Sequence, residues 1–400
     1  MAATEPRFGY AAHADWGLDP DVTYLNHGTV GVVPLAVLEA QQALRIEIER
    51  RPSQFLLREV ARLPGLTAWP AEPRLRTAAA AVAEFLGARG DDLVFVDNAS
   101  SGANAVLRSL RLQPDDEVLV TDHGYGGVTI AARYLAREAG AVVTVARLPG
   151  GGGLDEVVQA VLSAISPRTR VAVIDHLTSE SARLLPIAEI AERCNTAGVR
   201  VLADGAHVPG MFPLDIESLG VDWYVGNLHK WAWAPRGTGF LWARPDHQPG
   251  LHPPVISWGL DQGFTAEFDW TGTRDPSGWL TAPFAINLMR GIGFDAIRAH
   301  NHRLAWTGAQ MLGDAWGTKP EAQERWYGSM VTLPLPRSLG STPEDATRLR
   351  DALLYEDRIE VPVHAREDRL WVRISAQVYT DEADIERLGG AIAARRATQG

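Results

Sequence analysis

Residues 187–207, IAEIAERCNTAGVRVLADGAH, contain one complete helix-then-strand unit. The segment Ile187–Ala197 has its apolar residues at helical spacing, and the short, largely apolar run Val199–Asp204 follows it directly. A β-branched run of this length, preceded by a helix, is typical of a strand that is buried on both faces of a parallel sheet. This stretch therefore predicts a βαβ organisation.

The same alternation extends outward on both sides, from about residue 75 to residue 245. Helical spacing recurs in Gly126–Glu138 and in Leu154–Ile165. The runs predicted as strands are Leu93–Val96, Glu117–Thr121, Val142–Val145, Val171–Asp175, Val199–Asp204, Trp223–Gly226 and Gly239–Trp242. The sequence thus predicts an α/β fold with a mainly parallel sheet flanked by helices. In such sheets ligands bind beyond the carboxyl ends of the strands.

The pattern changes after about residue 245. Residues 245–283 are rich in Pro, Gly and Trp, and a long stretch of this kind is usually functional. The elements predicted beyond it are a helix over Phe284–Met311, a strand over Met330–Pro334, a helix starting at Thr342 with Pro343 in its first turn, a strand over Leu370–Ser375 and a last helix capped by Thr380. These elements predict a smaller α+β domain.

The composition excludes several classes of protein. The 400 residues are 46% hydrophobic and 22% charged, which suffices for a sizeable core. A net charge of −11 without a Lys/Arg run makes nucleic acids and anionic membranes poor partners. One cysteine, Cys194, excludes a disulfide framework and a zinc site with several thiolates. With no signal peptide and no apolar stretch long enough for a bilayer, we expect a soluble cytoplasmic protein.

Polar residues follow four of the predicted strands. After Leu93–Val96, small and hydroxyl residues including Ser100 and Ser101 open a helix predicted over 103–110, and such a helix N-terminus binds anions. Ordinary capping by either serine explains the same residues. After the next strand, the ring of His123 or of Tyr125 could stack on a planar ligand, although a loop histidine is more often simply solvated.

The other two strand ends carry Asp204 and Lys230. A carboxylate at the end of a buried strand is costly unless a cation pairs with it, and the simpler alternative is a helix N-cap. A metal site built from Asp204 and His207 lacks further ligands at suitable spacing. Lys230 lies between an apolar strand and two tryptophans, where desolvation lowers the pKa of an amine and makes it a nucleophile toward carbonyls. A solvated loop lysine is the alternative.

Together, these strand ends contain what pyridoxal phosphate (PLP) requires. A lysine binds its aldehyde, a carboxylate keeps its pyridine nitrogen protonated, and a helix N-terminus holds its phosphate. No competing nucleotide motif is present, because no G-x-G-x-x-G follows a strand and the run Gly150–Gly153 is not followed by Lys-Ser/Thr. The sequence therefore predicts a PLP-dependent enzyme without a metal.

Several motifs resemble the class V aminotransferase-fold enzymes, which are PLP enzymes of fold type I. These motifs are Asp204–His207, Asn227–Trp231 and Ala234–Gly239. The segments Tyr24–Gly28 and Phe268–Pro276 are similar to the branch around isopenicillin N epimerase. The resemblance covers about residues 20–385. It implies an N-terminal segment, 1–30, that packs near the active site, a large PLP-binding domain, 31–285, and a small C-terminal domain, 286–400.

The resemblance also implies roles for individual residues. Lys230 would be the Schiff-base lysine, Asp204 the partner of the pyridine nitrogen and His207 a contact to the phenolic oxygen. His123 would stack on the ring, unless the nearby Tyr125 does so. The residues around the phosphate would be Ala99, Ser100, Asn227 and His229.

Substrate and subunit contacts are implied in the same way. Arg373 would bind the substrate carboxylate, since a bidentate guanidinium suits that group. Asn26 and His27 would line the substrate side. Thr273 would reach the phosphate of the neighbouring subunit, because enzymes of this type form homodimers with shared active sites. The substrate class implied is an amino acid or a derivative of one.

Three departures bear on the reaction. Cys194 lies in a predicted helix of the large domain, so persulfide chemistry of the cysteine desulfurase kind is excluded. Val30 stands where related sequences carry an aromatic residue, and Glu180 where they often carry proline. Our first hypothesis is a C–S lyase that acts by β-elimination on a bulky S-substituted cysteine in natural-product biosynthesis. The alternatives are an amino-acid epimerase, a decarboxylating deaminase or aminotransferase, and a non-catalytic scaffold, against which the intact Lys230, Asp204 and Arg373 argue.

Overall fold

The computed structural model describes residues 7–66 and 72–397. They form two compact units. The unit called here the sheet unit contains Ala36–Thr178 and Leu185–Leu288, and the unit called the terminal unit contains the described residues up to Leu35, Ser179–Leu184 and those from Met289 onward. Among the described residues, no helix is both long enough and apolar enough to cross a membrane.

The strands, in chain order, are β1 Thr23–Tyr24, β2 Leu93–Val96, β3 Glu117–Thr121, β4 Val142–Ala146, β5 Thr169–Asp175, β6 Arg200–Asp204, β7 Trp223–Asn227, β8 Gly239–Ala243, β9 Met330–Pro334, β10 Ile359–Glu360, β11 Val363–Arg366 and β12 Arg369–Ser375. The helices are α1 His27–Val30, α2 Leu35–Arg50, α3 Pro52–Gln54, α4 Arg74–Phe85, α5 Ala99–Ser109, α6 Gly126–Glu138, α7 Leu154–Ser163, α8 Ile187–Thr196, α9 Phe264–Asp269, α10 Ser277–Ile292, α11 Phe294–Trp316, α12 Pro343–Tyr355 and α13 Glu382–Ala397.

The sheet unit is built on a seven-stranded sheet with the order β2-β8-β7-β6-β5-β3-β4. The strands β3 to β7 pair in parallel, and β8 runs antiparallel to both of its neighbours, β2 and β7. All seven predicted runs are strands of this sheet, and the predicted α/β fold class is confirmed. Most of these strands are apolar because they are buried, whereas the edge strand β4 is partly exposed.

Local chemistry explains where the helices of the sheet unit begin and end. Helix α6 buries Val128, Ala132 and Ala136, which recur every fourth residue on one face. Helix α8 ends before Gly198, whose φ of +74° is a conformation that glycine adopts at little cost and that turns the chain toward β6. The helix after β2 begins at Ala99, four residues earlier than the spacing predicts.

The terminal unit contains a three-stranded antiparallel sheet, in the order β11-β12-β9, and the parallel pair β1 and β10. The single helix predicted over Phe284–Met311 is wrong, because Gly293 with a φ of +105° separates α10 from α11. The helix predicted to start at Thr342 is α12, which begins one residue later at Pro343 and is capped by Thr342. Thr380 does not cap α13: its hydroxyl accepts from the N–H of Gln377, and Asp381 accepts from Ala383 in the first turn.

Candidate active site

The carboxyl ends of β2, β3, β5, β6 and β7 lie at one edge of the seven-stranded sheet. They share this edge because β3 to β7 are parallel, and because β2 and β7 are both antiparallel to β8. The predicted site residues that follow these ends are Ala99, Ser100, His123, Tyr125, Asp204, His207, Asn227, His229 and Lys230. The topology therefore brings these nine residues to one side of the sheet unit.

Lys230 lies in the loop that connects β7 to β8. The backbone N–H groups of Leu228 and His229 both donate to the carbonyl of Thr238, at 2.9 and 3.1 Å, and Ala234 N–H donates to the Leu228 carbonyl at 3.1 Å. These bonds close the base of the loop and hold Lys230 at the sheet edge, where it is 9% exposed. The lysine is thus buried rather than solvated.

The neighbours of Lys230 favour its neutral amine. The indole N–H of Trp231 donates to Nδ1 of His207 at 3.3 Å, and Nε2 of His207 lies 3.1 Å from Nζ of Lys230. An imidazole that accepts at Nδ1 carries its proton on Nε2, so Nε2 is the donor toward the lysine. Nζ must then accept, and only the unprotonated amine has a lone pair to do so. This arrangement of Trp231 and His207 favours the unprotonated, nucleophilic form of Lys230.

We expect Trp231→Phe to make Lys230 less nucleophilic, because phenylalanine keeps the ring but removes the N–H that fixes the His207 tautomer. The chain has two lysines, Lys230 and the exposed Lys319, so the second serves as an internal reference. In the cofactor-free protein at a fixed pH, Lys230 should react about fivefold more slowly with acetic anhydride than in wild type, relative to Lys319, as for the loss of one hydrogen bond. Peptide mass spectrometry measures this ratio of acetylation rates. Trp233→Phe is the matched control, and an unchanged ratio in Trp231→Phe would contradict this role.

Asp204 is the last residue of β6, and its two carboxylate oxygens differ in their hydrogen bonding. Oδ1 accepts from the N–H of Ala206 at 3.0 Å. Oδ2 is buried and has no hydrogen-bond partner among the described residues. An unsatisfied buried acceptor costs about 1–3 kcal/mol, and more when it is charged. Burial raises the pKa of this carboxyl, and the charge that Lys230 carries when it is protonated opposes that change. Oδ2 is therefore an acceptor that fits a cationic N–H donor.

A second buried carboxylate, Asp175, lies beside Asp204, and the sequence analysis did not select it. The two residues are register partners at the ends of β5 and β6, and Asp175 accepts from the backbone N–H of Tyr125 at 3.1 Å. Burial and the charge of Asp204 raise the pKa of Asp175 well above its usual range. Asp175 is therefore the member of the pair that takes up a proton more readily. The sequence feature that could have identified Asp175 is its position at the end of the predicted strand Val171–Asp175.

Gly205, next to Asp204, is a glycine for a steric reason. A Cβ at this position would lie 1.9 Å from Oη of Tyr224, so no larger residue fits. Tyr224 is fully buried and its hydroxyl lies 3.0 Å from Nδ1 of His176. Burial lowers the pKa of His176 to about 4, so this ring is neutral. The Tyr224–His176 pair therefore packs directly against the backbone next to Asp204.

The helix N-terminus predicted to bind phosphate belongs to α5. Asn98 caps it, with Oδ1 accepting from Ser101 N–H at 2.9 Å, so capping by Ser100 or Ser101 is wrong. Ala99 N–H donates to Oδ1 of Asn227 at 2.8 Å, which joins the ends of β2 and β7. These bonds leave Ser100 in the first turn of a helix 11 residues long, where the positive end of the helix dipole lies.

The ring of His229 is held within the connection between β7 and β8. Its Nδ1 lies 3.0 Å from the carbonyl of Thr238, which can only accept, so Nδ1 carries a proton. Burial, followed by the charge that Lys230 carries when it is protonated, lowers the pKa of His229 to about 4. A phosphate dianion bound nearby would act in the opposite direction and favour the imidazolium.

The structure separates the environments of the two candidates for ring stacking. Tyr125 is 44% exposed, and a Cβ placed on Gly127 would lie 2.9 Å from its Cε1, so its ring folds over the first turn of its own helix. His123 is half-buried, two residues closer to the end of β3. We therefore propose His123 as the stacking residue.

Thr273, the residue expected to reach the phosphate of a neighbouring subunit, is exposed and lies between α9 and α10.

In the terminal unit, Arg373 is a buried cation whose hydrogen bonds to the described residues all go to neutral oxygens. It is 2% exposed and donates to the carbonyl of Ser179 at 2.6 Å and to Oγ1 of Thr29 at 2.9 Å. Its Nε has no hydrogen-bond partner among the described residues. Burial lowers the pKa of Arg373 to about 10, so the guanidinium is still charged at neutral pH. The charge of Glu180 opposes this effect of burial, but among the described residues no carboxylate hydrogen-bonds to Arg373, which suits a site for an anionic ligand.

Asn26 and His27 have different surroundings. Asn26 donates from Nδ2 to Oε1 of Glu360 at 2.7 Å and lines a cavity of the terminal unit. His27 is fully buried: Gln377 lies 3.1 Å from its Nε2, and the hydroxyl of Tyr379 lies 2.9 Å from its Nδ1. Both ring nitrogens of His27 are thus engaged within the terminal unit.

Comparisons with known proteins decide the family. The sequence matches the family described as aminotransferase class V over residues 66–388. The chain belongs to the class V aminotransferase family. It is 34% identical over 396 residues to the isopenicillin N epimerase of Amycolatopsis lactamdurans, with 94% of this chain and 95% of that protein covered.

Two further proteins extend the comparison. The chain is 32% identical over 404 residues to a probable chloroplastic L-cysteine desulfhydrase of Arabidopsis thaliana, with 94% of this chain and 83% of that protein covered. Its fold is that of a C-DES variant with glycine covalently linked to the PLP cofactor, with a TM-score of 0.77, 22% identity and coverage of 95% and 98%. The prediction of a PLP-dependent enzyme of this family is confirmed, and its cofactor is pyridoxal 5′-phosphate.

The residues of the sheet edge fit this cofactor. The unpartnered Oδ2 of Asp204 is the acceptor that a protonated pyridine nitrogen requires. Lys230, with its amine held neutral by His207, is the nucleophile for the aldehyde. The N-terminus of α5, at Ser100, would receive the phosphate, with Ala99, Asn227 and His229 around it. When bound here, PLP withdraws electrons from the α-carbon of an amino acid.

Proposed function

We propose that this enzyme is a C–S lyase that acts by β-elimination on a bulky S-substituted L-cysteine. The overall reaction converts the substrate and one water into pyruvate, ammonia and the thiol of the substituent. Arg373 binds the substrate carboxylate, and Lys230 removes the α-proton as general base. Asp204 keeps a proton on the pyridine nitrogen. Relatives named L-cysteine desulfhydrase support chemistry at a C–S bond.

One observation favours elimination over epimerisation, namely the placement of the two candidates for a second acid. An epimerase must return a proton to the opposite face of the α-carbon, which needs a donor other than Lys230. Of the two candidates that the sequence offers, His27 is engaged at both ring nitrogens by Gln377 and Tyr379. The other, Tyr125, folds over its own helix. Elimination needs no such donor.

The reaction is tested by incubating the holoenzyme with S-alkyl-L-cysteines. We expect pyruvate, ammonia and thiol in equal amounts. Exchange of the α-hydrogen in heavy water without release of thiol would overturn the proposal in favour of epimerisation, the activity named for the 34% identical relative. Evolution of carbon dioxide would instead indicate a decarboxylating enzyme, and formation of a 2-oxo acid that retains the sulfur would indicate an aminotransferase.

We expect Cys194 to take no part in the reaction. It is fully buried in α8, and burial, followed by the charge of Asp222, raises the pKa of its thiol to about 11. The thiolate is the reactive form, so the folded protein should resist alkylation by iodoacetamide at pH 8 and react once unfolded. Cys194→Ala should keep thiol release within about twofold, because it removes only a buried sulfur. Loss of turnover in this variant would point back to persulfide chemistry.

We also propose a homodimer with shared active sites, to which Thr273 of each subunit contributes a phosphate contact. The support is an exposed apolar segment before α9 that includes Val255, Ile256 and Trp258, the last 74% exposed. Apolar side chains clustered at a surface are typical of an interface. Sedimentation of wild type as a dimer and of Trp258→Glu as a monomer would support this; a monomeric wild type would contradict it.

A further inference from the structure

A cavity of about 360 Å³ lies in the terminal unit beside the Arg373 site. One part of its wall is apolar and includes Leu18, Val22 and Leu354, and another part is polar and includes Asn26, Thr29 and Glu360. This volume lies within the roughly 300–1,000 Å³ of small-molecule pockets and exceeds what the side chain of free cysteine would occupy. The cavity can therefore hold a substituent larger than cysteine itself.

A chain of hydrogen bonds connects Arg373 to this cavity. Nη2 of Arg373 donates to Oγ1 of Thr29 at 2.9 Å, and that hydroxyl donates to Oδ1 of Asn26. Nδ2 of Asn26 then donates to Oε1 of Glu360 at 2.7 Å. A cation and a carboxylate are thus two side chains apart along one wall.

The backbone fixes this arrangement. Asn26 forms a parallel bridge with Ser375, and Ser375 N–H donates to the Leu25 carbonyl at 3.0 Å. Ser375 belongs to β12, the strand that carries Arg373. Backbone hydrogen bonding therefore joins Asn26, which lines the cavity, to the strand that carries the candidate carboxylate site.

Glu360 determines which charge the cavity accepts at the end of the hydrogen-bond chain from Arg373. It is half-buried, and only its Oε1 hydrogen-bonds to a described residue, which is Asn26. A second carboxylate in the wall, Asp19, is already paired with Arg358 at 3.1 Å. A cationic group on a ligand would pair with Glu360, an anionic group would be repelled, and a purely apolar group would leave the carboxylate desolvated without a partner.

We propose that this cavity binds the sulfur substituent of the substrate and selects an apolar stem that ends in an ammonium group. The inference rests on the proposed function, since it takes the carboxylate bound by Arg373 to be that of an S-substituted cysteine. Val30 also lines the cavity, so a larger side chain at this position should shorten the stem that fits.

The holoenzyme is tested with two substrates of equal length, S-(4-aminobutyl)-L-cysteine and S-pentyl-L-cysteine, by the rate of thiol release. We expect kcat/KM to be at least about tenfold higher for the aminobutyl compound, which corresponds to one charge-assisted contact. Glu360→Gln should bring that ratio close to one, whereas Glu386→Gln, an exposed glutamate on α13, should leave it unchanged. Val30→Trp should lower kcat/KM for both long substrates about tenfold relative to S-methyl-L-cysteine.

Binding of unreactive analogues separates the failure of this inference from that of the proposed function. In 2,8-diaminooctanoate and 2-aminononanoate a methylene replaces the sulfur, and calorimetry on the holoenzyme gives their dissociation constants. If no cysteine conjugate releases thiol but the diamino analogue still binds about tenfold more tightly, and loses that advantage in Glu360→Gln, the lyase proposal fails and the cavity assignment stands. The cavity assignment alone would be overturned if wild type cleaved the two conjugates with the same kcat/KM and Val30→Trp left both values unchanged.

Discussion

Lys230→Ala is expected to lose at least about 10⁴-fold in kcat and to lose the borohydride-sensitive yellow absorbance of the holoenzyme. The reason is that one buried amine serves both purposes: it is the nucleophile for the cofactor aldehyde and the proposed base for the α-proton. It is held ready for the first purpose by Trp231 and His207. Tryptic peptides of the borohydride-reduced wild type should carry the cofactor mass on the peptide with Lys230.

The chain provides a matched control for this variant. Lys319 is its one other lysine, and it is exposed at the end of the loop after α11. Lys319→Ala should keep the absorbance, the labelled peptide and the turnover of wild type. A wild type that carries no reducible cofactor on Lys230, or a Lys230→Ala variant with undiminished turnover, would contradict the assignment and would favour a scaffold.

Arg373→Lys is expected to lower kcat/KM for S-alkyl-L-cysteines by about 30- to 1,000-fold, with little change in the cofactor absorbance. Lysine keeps the charge but lacks the planar fork, and removal of one partner from a buried, hydrogen-bonded charge pair costs about 2–4 kcal/mol. The Nε that has no partner among the described residues is the donor that a carboxylate would take up.

The control for Arg373→Lys lies on the same strand. Arg369, the first residue of β12, donates to the carbonyl of Leu335, and Arg369→Lys should leave kcat/KM within about twofold of wild type. A tested substrate whose carboxylate is replaced by a carboxamide should be turned over equally slowly by wild type and by Arg373→Lys. Equal sensitivity of both substrates to the substitution would instead indicate that Arg373 acts through the fold.

The seven strands of the large sheet were predictable because their signal is local. Runs such as Leu93–Val96 and the centre of Glu117–Thr121 are apolar because they are buried on both faces of the sheet. The residues that follow such runs become polar where the sheet ends. Lys230 and Asp204 stand out for the same reason, as charged groups directly beyond buried strands. Gly293 was missed because a glycine inside a helical pattern is usually tolerated, and its positive φ is visible only in the fold.

What the sequence by itself determined is thus the α/β fold class, the order of strands and helices around Lys230, and the cofactor that this set of strand ends requires. The tertiary structure alone decided the relations between groups that are distant in the chain. Asp175 is beside Asp204 through the register of β5 and β6, Trp231 sets the tautomer of His207 across 24 residues, and Arg373 reaches Thr29 across 344. The hydrogen-bond partners and the burial of these groups depend on which segments pack together. The local periodicity of the sequence does not encode which distant segments meet.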